Sequence, residues 1–302
     1  MPFYFKRGDL VATECDAIVN ASNVNLKMVE GVGRAIFHKA GDKELTYACK
    51  QIGHCDVGHA VLTPSFNLTN AKAIIHAVGP IYINGKHDEE KNLRKVYQSV
   101  FKIALDNNFK TLAFPLLSGE FNYPLRECYE IAEDEIKKFL MNHRDFKIYM
   151  ILFKNFPENI SEDEQTRLSK FILNNFKTNA NTGYKSINKS NEAFINTIRA
   201  IQKKKNISDE DLAFRSNFTP EDLNKVLSLQ DILPTKNVCF ALAVGLEANK
   251  EEFIEIIKSI GFDSIKDDMS GLVTAYYLEK KEFDIFKINR VLFNYDVRPL
   301  GL

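Results

Sequence analysis

The chain has 302 residues, with 40 basic and 40 acidic side chains, a formal net charge of zero and 45% hydrophobic residues; this balance excludes a polybasic nucleic-acid coat and a disordered acidic chain. That length accommodates two domains, each large enough to bury its own core. No apolar run approaches the ~20 residues of a membrane span, the N-terminus lacks the apolar stretch of a secretory signal, and five cysteines without a CxxC pair predict reduced thiols in the cytoplasm.

From residue 2 to about 176, strand and helix patterns alternate. Short apolar or β-branched runs predict strands at 3–5, 17–20, 59–63, 73–78, 111–117 and 147–153. Three- and four-residue spacing of apolar positions predicts helices at 35–40, 44–51, 89–106, 125–141 and 162–176, the last opening on the capping box Ser161 to Glu164. Strands separated by helices imply a mainly parallel sheet covered on both faces, a three-layer α/β/α domain. Residues 177–191 are polar and Asn-rich, which reads as a solvated linker. A smaller all-α domain then fills 192–302, with helices at 192–205, 208–216, 219–229, 236–248 and 250–260 and two short ones in the tail. Ser208 with Asp211, and Thr219 with Asp222 and Pro220, mark two of the helix starts.

A parallel sheet binds ligands outside the carboxyl ends of its strands, where helix N-termini present unpaired N–H groups. The stretch from Gly8 to Gly41 has this layout. A strand ends at Asn20, Asn23 follows on the loop, and Gly31 and Gly33 let backbone approach a ligand before the next helix. These residues alone fit a tight connection without a ligand equally well. Cys49, His54, Cys55, Asp56 and His59 are all possible metal ligands, but their spacing matches no zinc signature, and neither metal nor cofactor is expected. His76, among alternating apolar residues, reads as a hydrogen-bonded core histidine.

Five segments occur in a telling order: GDL at 8–10, DAIVNASN at 16–23, HKAG at 38–41, AIIHAVGP at 73–80 and AFPLLSGEFNYP at 113–124. Together they resemble the macrodomain family, whose members bind ADP-ribose and in some cases hydrolyse ADP-ribosyl linkages. The resemblance covers the first half of the chain and implies roles for particular residues. Asp9, beside Leu10, matches the acid that accepts from the adenine amino group. Asn20 matches a brace of the first loop, and Asn23 matches the residue that hydrogen-bonds the distal ribose. Gly31, Val32 and Gly33 match the first phosphate loop; Ser118, Gly119, Glu120 and Phe121 match the second. Phe153 matches a position where an aromatic ring lies against adenine.

The match is incomplete where phosphate would sit. Met28, Val29 and Glu30 replace a run of glycines before Val32, and the second loop, SGEF, is one residue shorter than the family pattern and carries Glu120. Two carboxylates thus border one anion site, repelling a diphosphate by several kcal/mol if desolvated but by only about 1 kcal/mol if they face water. Similar hydrolases place an acid one residue after the Val of the first loop; here that residue is Gly33. Glu30 is the neighbouring carboxylate available as a base, with Asn23 beside it.

The helical half follows the helix order of phage-repressor-type helix-turn-helix domains without their sharp motif. Glu221 and Asp222 would begin its recognition helix, where phosphates repel them. With no basic excess in this half, a protein partner is favoured over DNA. The expected protein is a cytoplasmic sensor or reader of ADP-ribose or a related nucleotide. The alternatives are a hydrolase acting on ADP-ribosylated protein or O-acetyl-ADP-ribose, and a scaffold whose pocket has lost its ligand.

Overall fold

The computed structural model describes residues 2–119, 122–152, 160–176, 191–228, 234–262 and 264–301. Contacts divide the chain into two compact units, Phe3–Pro157 and Glu158–Leu302, the latter grouped with Met1–Pro2.

In the first unit, six strands form one sheet in the order β1-β6-β5-β2-β4-β3: β1 (Phe3–Arg7), β2 (Ala17–Ala21), β3 (His59–Pro64), β4 (Ala73–Val78), β5 (Thr111–Phe114) and β6 (Lys147–Leu152). All neighbours are parallel except β3, which runs antiparallel to β4 at the sheet edge. Helices α1 (Val32–Ala40), α2 (Asp42–Ile52), α3 (Glu89–Asp106) and α4 (Leu125–Asn142) complete the unit. β4 is buried along its whole length, as a strand covered on both faces must be, and this is why it reads AIIHAV rather than apolar–polar. Period-two alternation puts Ile18 and Asn20 of β2, and Ile74, His76 and Val78 of β4, on the same face. Ile18, Ile74 and Val78 pack there with Ile36 and Phe37 of α1 and Leu45 of α2. Elsewhere in the unit, Phe101 of α3 stacks on Phe139 of α4 at 4.2 Å.

In the second unit α5 (Glu162–Asn175) is followed by α6 (Glu192–Lys205), α7 (Asp209–Arg215), α8 (Pro220–Ser228), α9 (Lys236–Gly245), α10 (Lys250–Ser259), α11 (Met269–Glu279) and α12 (Ile285–Asn294). The expected starts are present: Ser161, Ser208 and Thr219 accept from Glu164 N, Asp211 N and Asp222 N. The division between units falls earlier than the boundary read from the sequence at 176. α5 packs Phe171 edge-on against Tyr276 of α11, and its Glu164 pairs with Lys287 of α12 at 2.8 Å. The expected linker lies mostly outside the described residues. No helix among the described residues is long and apolar enough to cross a membrane.

α9 is buried at most of its positions, the pattern of a central helix. Its Gly245 faces the end of α7, where an added Cβ would overlap Ser216 Oγ and come 3.0 Å from Ser216 N. The backbone atom has nowhere to move. Gly245→Ala is therefore expected to destabilise the helical unit by about 1–3 kcal/mol, read as an earlier denaturant midpoint for α9 amide exchange with β4 exchange unchanged.

Candidate functional site

β2 lies between β5 and β4, so the connections leaving the carboxyl ends of β2 and β5 rise side by side, where open α/β sheets place ligands. Gly79 follows β4 and Ser118 follows β5, on opposite sides of β2. A Cβ on Gly79 would nevertheless overlap Ser118 Oγ. The second loop thus crosses the end of β2 to reach the end of β4, and the glycine leaves the room for it. Ser118 adopts a φ of 64°, and its buried Oγ has no hydrogen-bond partner among the described residues. Gly119 continues this turn, its N–H donating to Leu116 O at 3.3 Å.

Below these loops sits a polar pair in an otherwise apolar layer. Asn20 and His76 are register partners on β2 and β4, and Asn20 Nδ2 donates to His76 Nδ1 at 3.1 Å. The other ring nitrogen of His76 meets Thr63 Oγ1 at 2.9 Å and Cys49 Sγ at 3.8 Å. Burial pushes the His76 imidazole down to about 4, so the ring is neutral, accepts at Nδ1 and donates from Nε2. Cys49 stays a thiol, pushed up to about 11 by burial. The chain Thr63–His76–Asn20 fixes the Asn20 amide with Oδ1 buried, without a partner among the described residues and facing Gly33.

Gly33 belongs to the first turn of α1. This helix begins three residues earlier than the sequence pattern indicates. Gly31 precedes it with φ 75° and ψ −128°, a conformation open to glycine, and no side chain among the described residues caps the helix. The first intrahelical bond is Ala35 N to Gly31 O, so the amides of Val32, Gly33 and Arg34 precede any helical partner. No acid occupies the first turn. Amides at the positive end of a helix dipole favour anions.

Glu30 answers the question its position raises. Its side chain is 82% exposed and pairs with Arg34 at 3.1 Å, so its charge is turned to water and matched. Arg34 Nε in turn donates to His38 Nε2, and His38 Nδ1 meets Asp42 at 2.8 Å, a surface ladder along α1. Met28 is exposed too. Asn23 is more engaged than expected. Its Oδ1 accepts from Asn25 N and Lys27 N, and Nδ2 donates to Lys27 O at 2.9 Å. An amide has two donors and two acceptor positions, so this turn leaves Asn23 one N–H to offer a hydroxyl.

Asp9 caps the short 3-10 turn Leu10–Ala12 through Val11 N at 3.1 Å; it remains exposed, while Leu10 is part of the core. Asp9 thus fills the capping role a loop acid ordinarily has. Glu120, Phe121 and Phe153 lie outside the described residues. Gly79 and His76 were not among the expected site residues, although both stand in the AIIHAVGP segment; their contacts bridge 39 and 56 positions of sequence. Of the possible metal ligands, Cys49 and Cys55 are buried, His54 pairs with Asp56 at 3.0 Å and His59 is exposed.

The family model described as Macro domain matches residues 19–132. The chain is 43% identical over 138 residues to a protein of Enterobacter sp. (strain 638) called O-acetyl-ADP-ribose deacetylase, covering 44% of this chain and 76% of that protein. A protein of the same name from Citrobacter koseri is 39% identical over 176 residues, covering 56% and 94%. Among solved structures, the Oceanobacillus iheyensis macrodomain with ADP is 28% identical, with a TM-score of 0.47, covering 56% of this chain and 91% of that one. The Trypanosoma brucei macrodomain in complex with ADP-ribose is 31% identical, with a TM-score of 0.46, covering 56% and 68%.

Proposed function

Because the chain belongs to the Macro domain family through its N-terminal part, we propose that this part binds ADP-ribose or a related nucleotide as a sensor or reader. The observation that carries the reading is the N-terminus of α1, which no side chain among the described residues caps, with Gly31 at φ 75° and two buried polar atoms, Asn20 Oδ1 and Ser118 Oγ, that have no partner among those residues. The diphosphate would sit on the amides of Val32 to Arg34 with Gly119 opposite, a ribose hydroxyl would take the remaining Asn23 N–H, and Asp9 and Leu10 would flank the adenine. The outward pairing of Glu30 with Arg34 removes the charge objection from the first loop.

Calorimetric titration of the full chain with ADP-ribose tests this, with ADP and NAD as comparisons. Saturable binding is expected, strongest for ADP-ribose; silence at millimolar ligand sinks the reading and leaves a scaffold. Gly31→Val forces a β-branched residue into a conformation that costs it on the order of 1–3 kcal/mol and fills the approach to the phosphates. It is expected to weaken ADP-ribose at least tenfold in the same titration.

A second reading, hydrolysis of O-acetyl-ADP-ribose or ADP-ribosylated protein, is favoured by the name its relatives carry. It requires a carboxylate that Gly33 does not supply, with Glu30 the nearest substitute. The helical unit serves as a protein-interaction module in this proposal. The repressor-like helix order expected from the sequence would suit DNA, but Lys204 and Lys205 are both committed to Glu252, at 2.9 and 2.8 Å, and so offer phosphates little. Five free cysteines suit the reducing cytoplasm.

A further inference from the structure

The helical unit contains a pocket of about 480 Å³ among α5, α10, α11 and the connection that follows α10, within the ~300–1,000 Å³ range of small-molecule sites. Its walls are side chains that bury themselves against one another elsewhere in such bundles: Phe171, Phe253, Ile257, Phe262, Leu272 and Leu278. Ile254, also at the pocket, is 42% exposed. Phe253, Ile257, Leu272 and Leu278 form its buried floor, and half-buried Phe171 and Phe262 with exposed Ile254 form its accessible sides.

The mouth is not apolar. Exposed Lys250, Lys258 and Lys266 edge the pocket, and Glu279 is its one acid among the described residues. Glu279 pairs with Lys250 at 3.2 Å, which accounts for one charge of each sign. Lys258 and Lys266 have no ion pair among the described residues, so an apolar surface opens beside two ammonium groups available to an anion. An amphiphile with a single anionic head complements both features. A dinucleotide does not, because its many hydroxyl and phosphate oxygens would meet phenyl and aliphatic walls.

We propose that this pocket binds a long-chain carboxylate of the fatty-acid class, its tail among Phe171, Phe253 and Leu272 and its head at Lys258 and Lys266. The site is independent of the nucleotide reading, since every residue named belongs to the helical unit.

Dodecanoate, dodecanol and dodecyltrimethylammonium, each kept below its micellar concentration, are titrated into the full chain by calorimetry. Dodecanoate is expected to bind saturably at one site, with dodecanol at least about tenfold weaker, the difference of one charge-assisted contact, and the cation silent. Combined Lys258→Ala and Lys266→Ala, both exposed and harmless to packing, should bring dodecanoate down to the level of dodecanol. Ala275→Trp, which fills the pocket, should abolish binding while the melting temperature and the ADP-ribose titration are retained. Equal binding of all three amphiphiles, no binding of dodecanoate, or binding indifferent to the lysine pair overturns the proposal.

Discussion

Between pH 7 and pH 5 the α/β unit is expected to lose about 2 kcal/mol of stability through one side chain, His76, and about 3 kcal/mol by pH 4. The imidazole titrates near 6.5 in the unfolded chain and near 4 in the folded one, because burial disfavours its charged form. Above pH 6.5 it is neutral in both states and costs nothing. As pH falls from 6.5 towards 4, only the unfolded chain takes up the proton, so protonation pulls the equilibrium toward unfolding. The carboxylates that the fold holds ionised act at lower pH. Although burial opposes its charge, Glu89 is held down to about 2 by the N–H groups of Ile83, Asn84, Gly85 and His87, and its contribution is lost only below the ordinary carboxylate range. The window from pH 6.5 to 5 therefore isolates histidine. Exchange rates of β2 and β4 amides, followed from pH 7 to 5 after correction for intrinsic rates, read the α/β unit apart from the helical one. In His76→Gln the pH slope should flatten, while stability at pH 7 falls by about 1–3 kcal/mol as buried polar atoms of Asn20 and Thr63 lose their partner. An unchanged slope in the variant would mean that another group carries the pH dependence.

Much of the fold was legible because its signals are local. Six strands stand where short apolar runs predicted them, and the caps at Ser161, Ser208 and Thr219 hold the helices that they announced. Misplaced ends have local causes too. β5 stops at Phe114 rather than continuing to 117, since Pro115 has no N–H for a ladder. The first turn of α1 went unread because it contains Gly33, and glycine looks like loop in any propensity scale. What local pattern could not supply was partnership. The periodicity of α5 marks a helix but not which unit receives its Phe171. Asn20 meets His76 only through strand register, and Ser118 meets Gly79 only because a loop crosses β2. The pairing of Glu30 with Arg34 is the exception, an i,i+4 spacing present in the sequence all along. Its consequence for the phosphate site depends on exposure, which spacing does not give.

Gly33→Asp is expected to raise the release of ADP-ribose from O-acetyl-ADP-ribose by about 10²–10⁴-fold over the parent chain, the usual span of a positioned acid or base. Gly33 is buried, but its backbone is helical and admits a side chain. Gly33 sits in a helical turn, and an added Cβ would meet Asn20 Oδ1 and Val29 Cβ at 3.4 Å, ordinary contact distances. Helix side chains lean toward the N-terminus, so the carboxylate would project toward the loop, where the ribose is proposed to lie. The substitution also replaces glycine by a better helix former and puts an anion in the first turn, each worth a few tenths of a kcal/mol to about 1 kcal/mol. Because the new carboxylate would lie at a buried position beside Asn20 Oδ1, amide exchange of β2 and β4 in the variant is measured alongside activity to check that the fold is kept. A companion variant, Glu30→Gln, separates the routes. If the parent chain turns over slowly and Glu30→Gln abolishes it, the base comes from Glu30 after its Arg34 pair opens, and the gain from Gly33→Asp is correspondingly small. If Glu30→Gln changes nothing while Gly33→Asp gains activity, the parent chain is a binder whose catalytic position has been vacated. If Gly33→Asp binds ADP-ribose as the parent does and still releases none, the reacting bond does not reach the first turn of α1, and the hydrolase reading falls while the binding reading stands.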